Sequence, residues 1–122
     1  DSIDNIEENT VLYTGTHDND TSIGWFESLN SKLSSDEIND LKNILNPDSK
    51  GMNWSMIEYS FQARAKTVIV PVQDILGLGS DSRMNTPGTI SENNWSWRMD
   101  SSELKDTMLR KMRDITEEAN RA

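Results

Sequence analysis

The sequence contains no cysteine, three prolines and a single histidine among its 122 residues. The lack of cysteine excludes disulfides, thiolate metal ligands and thiol catalysis together, and fits a reducing compartment. Basic residues are also scarce: 12 Lys and Arg stand against 21 Asp and Glu, a formal net charge of -9. That balance argues against DNA, RNA or an anionic membrane surface as partner. No apolar run approaches the roughly 20 residues that span a bilayer, and the acidic start from Asp1 to Asn9 is not a signal peptide. Core-forming residues are few. Leu, Ile, Val and Phe number 25 of 122, close to the level at which a highly charged chain stays unfolded. The length allows one domain.

The chain nevertheless carries ordered patterns. Val11-Leu12-Tyr13-Thr14 is β-prone and stops at Gly15, which predicts a strand at about 10–15. Asp20 can cap a helix beginning at Thr21, with Ile23, Trp25, Phe26 and Leu29 as its apolar set and Gly24 weakening it. Ser34 and Glu37 form a capping box ahead of Ile38, Leu41, Ile44 and Leu45, and Pro47 marks the stop. A third helix is expected after Gly51, capped by Asn53, with Trp54, Ile57, Phe61 and Ala65 on one stripe. Val68-Ile69-Val70 reads as a strand buried on both faces, with Pro71 at its far end. Asp74 to Arg98 is loop-like, with room for one short helical turn. Asp100 with Glu103 then opens a long helix whose face is Leu104, Met108, Leu109, Met112 and Ile115. This order gives an α/β chain: two parallel strands with several helices, joined by a right-handed crossover. Polar groups follow each strand, Thr16-His17-Asp18-Asn19-Asp20 after the first and Gln73-Asp74 after the second. In α/β folds ligand chemistry sits at the carboxyl ends of parallel strands, so both clusters belong at one end.

The segment Thr16 to Asp20 is the only place where the sole His meets carboxylates. As a metal site it fares badly, because an EF-hand loop begun at Asp18 finds Ile23 and Leu29 where Gly and Glu are required. Zinc would lack Cys and a second His. The expected metal is none. Capping accounts for Asp20, but Asp18 needs some other partner. A serine triad lacks a G-x-S-x-G elbow. Glycoside chemistry needs only carboxylates. Trp95 and Trp97, among Asn93, Asn94 and Arg98, could then stack on sugar rings or pack their loop against the long helix. Trp54 belongs in the core. Asn85, in the Arg83-Met84-Asn85-Thr86-Pro87-Gly88-Thr89 turn region, offers both donors and an acceptor to a pair of hydroxyls.

Tyr13-Thr14-Gly15-Thr16-His17-Asp18-Asn19-Asp20-Thr21 resembles the seventh-strand segment of amylomaltases, the 4-α-glucanotransferases of glycoside hydrolase family 77. Pro71-Val72-Gln73-Asp74-Ile75-Leu76-Gly77-Leu78-Gly79 and Arg83 to Thr89 resemble the eighth-strand region, and Asn94-Trp95-Ser96-Trp97-Arg98 the segment after it. The resemblance covers about residues 9 to 100 in the family's order. It implies that residues 1–122 are the C-terminal part of a (β/α)8 barrel, about its seventh and eighth βα units, because such barrels take about 250 residues. It implies a retaining transfer of α-1,4-glucan segments between maltooligosaccharides in the cytoplasm, without a cofactor. It also implies a catalytic role for Asp18 in stabilising the transition state, and substrate binding by His17 and Asn85. The nucleophilic Asp and acid/base Glu would lie upstream of Asp1, so the chain alone is expected to be inactive. Two alternatives remain on the residues themselves: a non-catalytic carbohydrate-binding module using Trp95, Trp97 and Asn85, and a structural segment whose unpaired strand edges favour self-association.

Overall fold

The computed structural model describes residues 5–45 and 51–121. Pro47, the expected stop of the second helix, lies outside the described residues, as does the start of the chain as far as Asp4. Strand β1 (Val11–Tyr13) is followed by helices α1 (Ser22–Leu29), α2 (Ser35–Leu45) and α3 (Met52–Phe61). Strand β2 (Thr67–Ile69), helix α4 (Val72–Leu76) and helix α5 (Asp106–Glu118) complete the order, with 3-10 turns at Ser80–Ser82 and Ser101–Glu103. The two strands pair in parallel, Leu12 opposite Val68 and Tyr13 opposite Ile69. The α/β order and the parallel pairing agree with the sequence pattern.

Side chains alternate across a strand, and this sheet has one covered face. Val68 packs against the core, whereas Val11, Tyr13 and Ile69 are about half exposed. The expectation that the second strand is buried on both faces is therefore corrected. Helices cover only the Leu12–Val68 side, and no third strand extends the pair among the described residues. The core sits between α3 and α5. Trp54, Ile57 and Phe61 at helical spacing meet Ile115, and Val68, Val70, Ile75, Met108 and Met112 pack around them. Trp54 is in the core, as its spacing implied. Ala65 is also buried, but in the connection after α3.

Helix ends depart from expectation in instructive ways. Ser34 and Glu37 do form the reciprocal box ahead of α2: the Glu37 N–H donates to Ser34 Oγ, and Glu37 Oε1 accepts from the Ser34 N–H. Asp20, by contrast, is not the cap of α1. Thr21 is, its hydroxyl accepting the Gly24 N–H at 3.1 Å. Asn53 does not cap α3 either; Gly51 stands at that position and Asn53 turns its amide away to α4. The Asp100–Glu103 box is present but closes the 3-10 turn, and α5 starts only at Asp106. Gly24 has a positive reason to be glycine. A Cβ there would lie 2.3 Å from Ser80 Oγ and 2.4 Å from Asp20 Oδ1.

The C-terminal end is fastened by one side chain. The Arg121 guanidinium donates to the carbonyls of Phe61, Ala63 and Ala65 at 2.8–2.9 Å and to that of Lys66 at 3.4 Å. These are the carbonyls at and after the end of α3, which its own ladder leaves without partners. Lys111 lies 4.7 Å over the Trp54 ring, adding a cation–π contact at the rim of the core.

Candidate functional site

Beyond β1 the chain makes a tight turn built by two small polar residues. Asn19 Oδ1 accepts from both the N–H and the hydroxyl of Thr16, at 2.9 and 3.0 Å, while the Asn19 N–H donates to the Thr16 carbonyl at 3.0 Å. An Asn that bonds to nearby backbone in this way offers the chain a turn instead of further strand. The turn leaves His17 and Asp18 at its apex, both more than half exposed.

Asn85 reaches that apex from 67 residues away and donates from Nδ2 to Asp18 Oδ1 at 2.8 Å. On the other side, His17 Nε2 lies 3.2 Å from Asp18 Oδ2. The three candidate site residues of the sequence thus meet at one carboxylate. Arg83 completes the frame: its Nη2 donates to the Asp18 carbonyl and its Nε to the Asn85 carbonyl, each at 3.2 Å. The guanidinium fork spans the two loops and fixes their spacing. Arg83 stood in the sequence only as a member of a polar stretch, because nothing local shows which carbonyls a side chain will reach.

Trp95 supplies a further surface. Its ring centroid lies 5.1 Å from that of His17, tilted by 40°, and the residue is 58% exposed. Neither of the two readings offered for Trp95, stacking on a sugar or packing its loop against the long helix, named this contact with the His17 turn. Its backbone takes φ 63° and its N–H donates to the Met84 carbonyl, so the bulky ring is held in a conformation such residues seldom adopt. Trp97 is half-buried and borders a polar cleft of about 520 Å³ with Arg83, Asn94 and Arg98.

Beneath the apex lies a cleft of about 380 Å³ lined by Tyr13, His17, Asp20, Gln73, Asp74 and Met84, among others. The two polar clusters after the strands both border it, as the parallel topology required. Asp20 joins the turn to the far loop: Oδ1 accepts from the Thr21 N–H and Oδ2 from the Ser80 hydroxyl, both at 2.8 Å. Asp74 is 1% exposed and accepts from Thr14 and Ser22. Among the described residues no three His, Asp or Glu side chains are grouped to hold a metal ion. The arrangement suits recognition of a polyhydroxylated ligand: an accessible carboxylate, an imidazole, an amide and an exposed aromatic face converge within one patch.

Known proteins resemble this chain over most of its length. A family model described as 4-alpha-glucanotransferase matches residues 1–105. The chain is 45% identical over 109 residues to a 4-alpha-glucanotransferase of Synechocystis sp., covering 89% of this chain and 21% of that protein. It is 46% identical over 114 residues to a chloroplastic/amyloplastic 4-alpha-glucanotransferase of Solanum tuberosum, covering 91% and 19%. An amylomaltase from Streptococcus agalactiae, solved in complex with acarbose, superposes with a TM-score of 0.87 at 32% identity over 97% of this chain and 23% of the other. The chain spans about a fifth of the length of the curated relatives it matches.

Proposed function

The chain belongs to the 4-alpha-glucanotransferase family, and on that premise we propose that it supplies the transition-state-stabilising corner of an enzyme transferring α-1,4-glucan segments between maltooligosaccharides. The observation that carries this reading is the meeting of His17, Asp18 and Asn85 at one exposed carboxylate. In a retaining transfer an enzyme carboxylate attacks the anomeric carbon and expels one glucan, and a hydroxyl of a second glucan then displaces that carboxylate. Positive charge builds on the sugar in both steps. Asp18 serves it by accepting hydrogen bonds from the donor sugar's hydroxyls, which tighten as the ring distorts. The Asn85 amide holds Oδ1 and His17 Nε2 stands beside Oδ2, and a carboxylate still has lone pairs beyond these two for substrate hydroxyls. His17 acts as a hydrogen-bond donor to the same sugar, and the amide of Asn85 keeps a carbonyl oxygen for a further hydroxyl.

In this reading residues 1–122 form about the seventh and eighth βα units of a (β/α)8 barrel. The half-exposed Val11, Tyr13 and Ile69, on the face opposite the helices, would then point into the barrel interior. The nucleophile and the acid/base would belong to other strands of the complete enzyme, and no cofactor is required by the chemistry. The test has two arms. In the complete enzyme Asp18→Asn should lower glucose release from maltotriose by about a thousandfold with little change in melting temperature, since the lost contact matters in the transition state. The 122-residue chain alone should release none. Near-normal turnover by the variant, or transfer by the isolated chain, would refute the proposal.

A further inference from the structure

We infer that Asp74 is the positioning residue of the His17–Asp18 turn. The inference deepens the function proposed above and takes its catalytic readout from it. Oδ2 of Asp74 accepts from the Thr14 hydroxyl at 2.7 Å and Oδ1 accepts from the Ser22 N–H at 2.8 Å. Thr14 precedes the turn segment 15–21 and Ser22 follows it. One carboxylate therefore grips both feet of the loop that carries His17 and Asp18, from positions 60 and 52 residues away in the chain.

The chemistry explains why a carboxylate stands there. Both partners are donors, and a carboxylate offers two acceptor oxygens, whereas an amide would aim an N–H₂ at one of the two. The Ser22 N–H belongs to the first turn of α1, where the helix leaves donors without partners. Asp74 is itself held in place: its carbonyl accepts from Asn53 Nδ2 at 2.7 Å, and its N–H donates to the Pro71 carbonyl at 3.0 Å. Its neighbour Gln73 donates from Nε2 to the Ser82 carbonyl at 3.2 Å, next to the Arg83 that reaches Asp18 and Asn85. The first turn of α4 thus fastens both loops of the site, the Asp18 loop through Asp74 and the Arg83 loop through Gln73. That turn sets how far Asp18 stands from Asn85. Asp74 touches neither apex residue and acts through the segment it anchors.

Replacing Asp74 outright can unfold the chain, because it would bury two donors without a partner. Thr14→Val removes one grip at nearly constant shape, and Thr14→Ser keeps the hydroxyl. In the complete enzyme, Thr14→Val should lower kcat for maltotriose disproportionation about 10- to 100-fold with KM within about twofold, and Thr14→Ser should restore most of it. Amide exchange measured by mass spectrometry should quicken about tenfold in residues 15–21 of the Thr14→Val protein and stay unchanged in α5. Wild-type exchange in 15–21 of that variant, or an equal rise in α5, would overturn the inference. The exchange measurement needs no activity. If the wild-type enzyme transfers no glucan, the proposed function falls and exchange alone still decides the role of Asp74.

Discussion

Between α3 and α5 the molecule is closed by apolar side chains, with Ile57 fully buried against Trp54, Phe61 and Ile115. At the carboxyl ends of β1 and β2 it is closed by hydrogen bonds: Asp74 to Thr14 and Ser22, Asp20 to Ser80, Gln73 to Ser82 and Asn85 to Asp18. The two regions differ in what holds them and in how errors spread. Apolar contact is non-directional and scales with area, so the core side tolerates small rearrangements and loses stability in proportion to what is removed. A directed hydrogen bond fixes geometry with little net free energy. The strand-end side is thus built for position and the α3–α5 side for stability.

Ile57→Ala would break the comparison most strongly if it behaved otherwise. Removing three carbons from a fully buried site should cost about 3 kcal/mol, transfer and cavity terms together. In the complete enzyme proposed above the melting temperature should fall by several degrees while kcat of the fraction still folded stays near wild type. A loss of kcat at temperatures well below unfolding would show that the core sets the site geometry.

Arg121→Lys comes next. It keeps the charge and loses the planar fork that gathers the carbonyls of Phe61, Ala63, Ala65 and Lys66. We expect a loss of about 2 kcal/mol in denaturant unfolding, since an ammonium cannot reach so many carbonyls at once. A neutral result would mean that the apolar contacts of α5 close this end without the arginine.

Gly24→Ala sits on the border of the two regions. In a helix the change should stabilise by about 1 kcal/mol. Here the new Cβ would lie 2.3 Å from Ser80 Oγ and 2.4 Å from Asp20 Oδ1. The neighbours are side chains that can turn away, but only by giving up their mutual 2.8 Å hydrogen bond. Crowding and the lost bond should outweigh the propensity, leaving a net loss of about 1 kcal/mol. In the complete enzyme proposed above turnover should fall more than stability, because Asp20 lies two residues from Asp18. Equal or higher stability with full turnover would show that the Asp20–Ser80 tie does not position the site.

What could be read from the sequence follows the same division. Periodicity marked Trp54, Ile57, Phe61, Met108, Met112 and Ile115 as one face each of two helices, and they form the core. The pairing of the strands and the shared end of the polar clusters followed from topology. The resemblance to amylomaltases points to His17, Asp18 and Asn85, and the fold brings the three together. The partners themselves were not legible. Asp20 and Asn53 look like caps because Asp and Asn favour that position, yet each makes a contact far off in sequence, to Ser80 and to the Asp74 carbonyl. Local propensity gives way where a distant acceptor or donor is better placed. The sheet face failed for another reason: β-branched residues in a row read as doubly buried, and burial depends on what the sheet meets.

Asp100 tests the division at its smallest scale, in the exposed capping box ahead of α5. The Ser102 N–H and then the Ser102 hydroxyl donate to this carboxylate and hold it below its ordinary value of 3.8, against a small opposing effect of desolvation. Because the folded-state value is the lower one, the ionised form binds better in the folded chain. The contribution is therefore fully present above about pH 5 and is lost as the pH falls through the folded-state value. A thermal unfolding series from pH 7 to pH 2 should show a small constant gap between wild type and Asp100→Asn above about pH 5, closing as the solution becomes more acid. Ser102→Ala should narrow that gap less than full removal of the carboxylate, since its backbone N–H still donates. The turn precedes α5 and touches neither Asp18 nor Asn85, so in the complete enzyme proposed above glucan transfer at neutral pH should not change in either variant. A gap that widened on acidification would reverse the sign assigned to this carboxylate, and a change in turnover would extend the site beyond the strand ends.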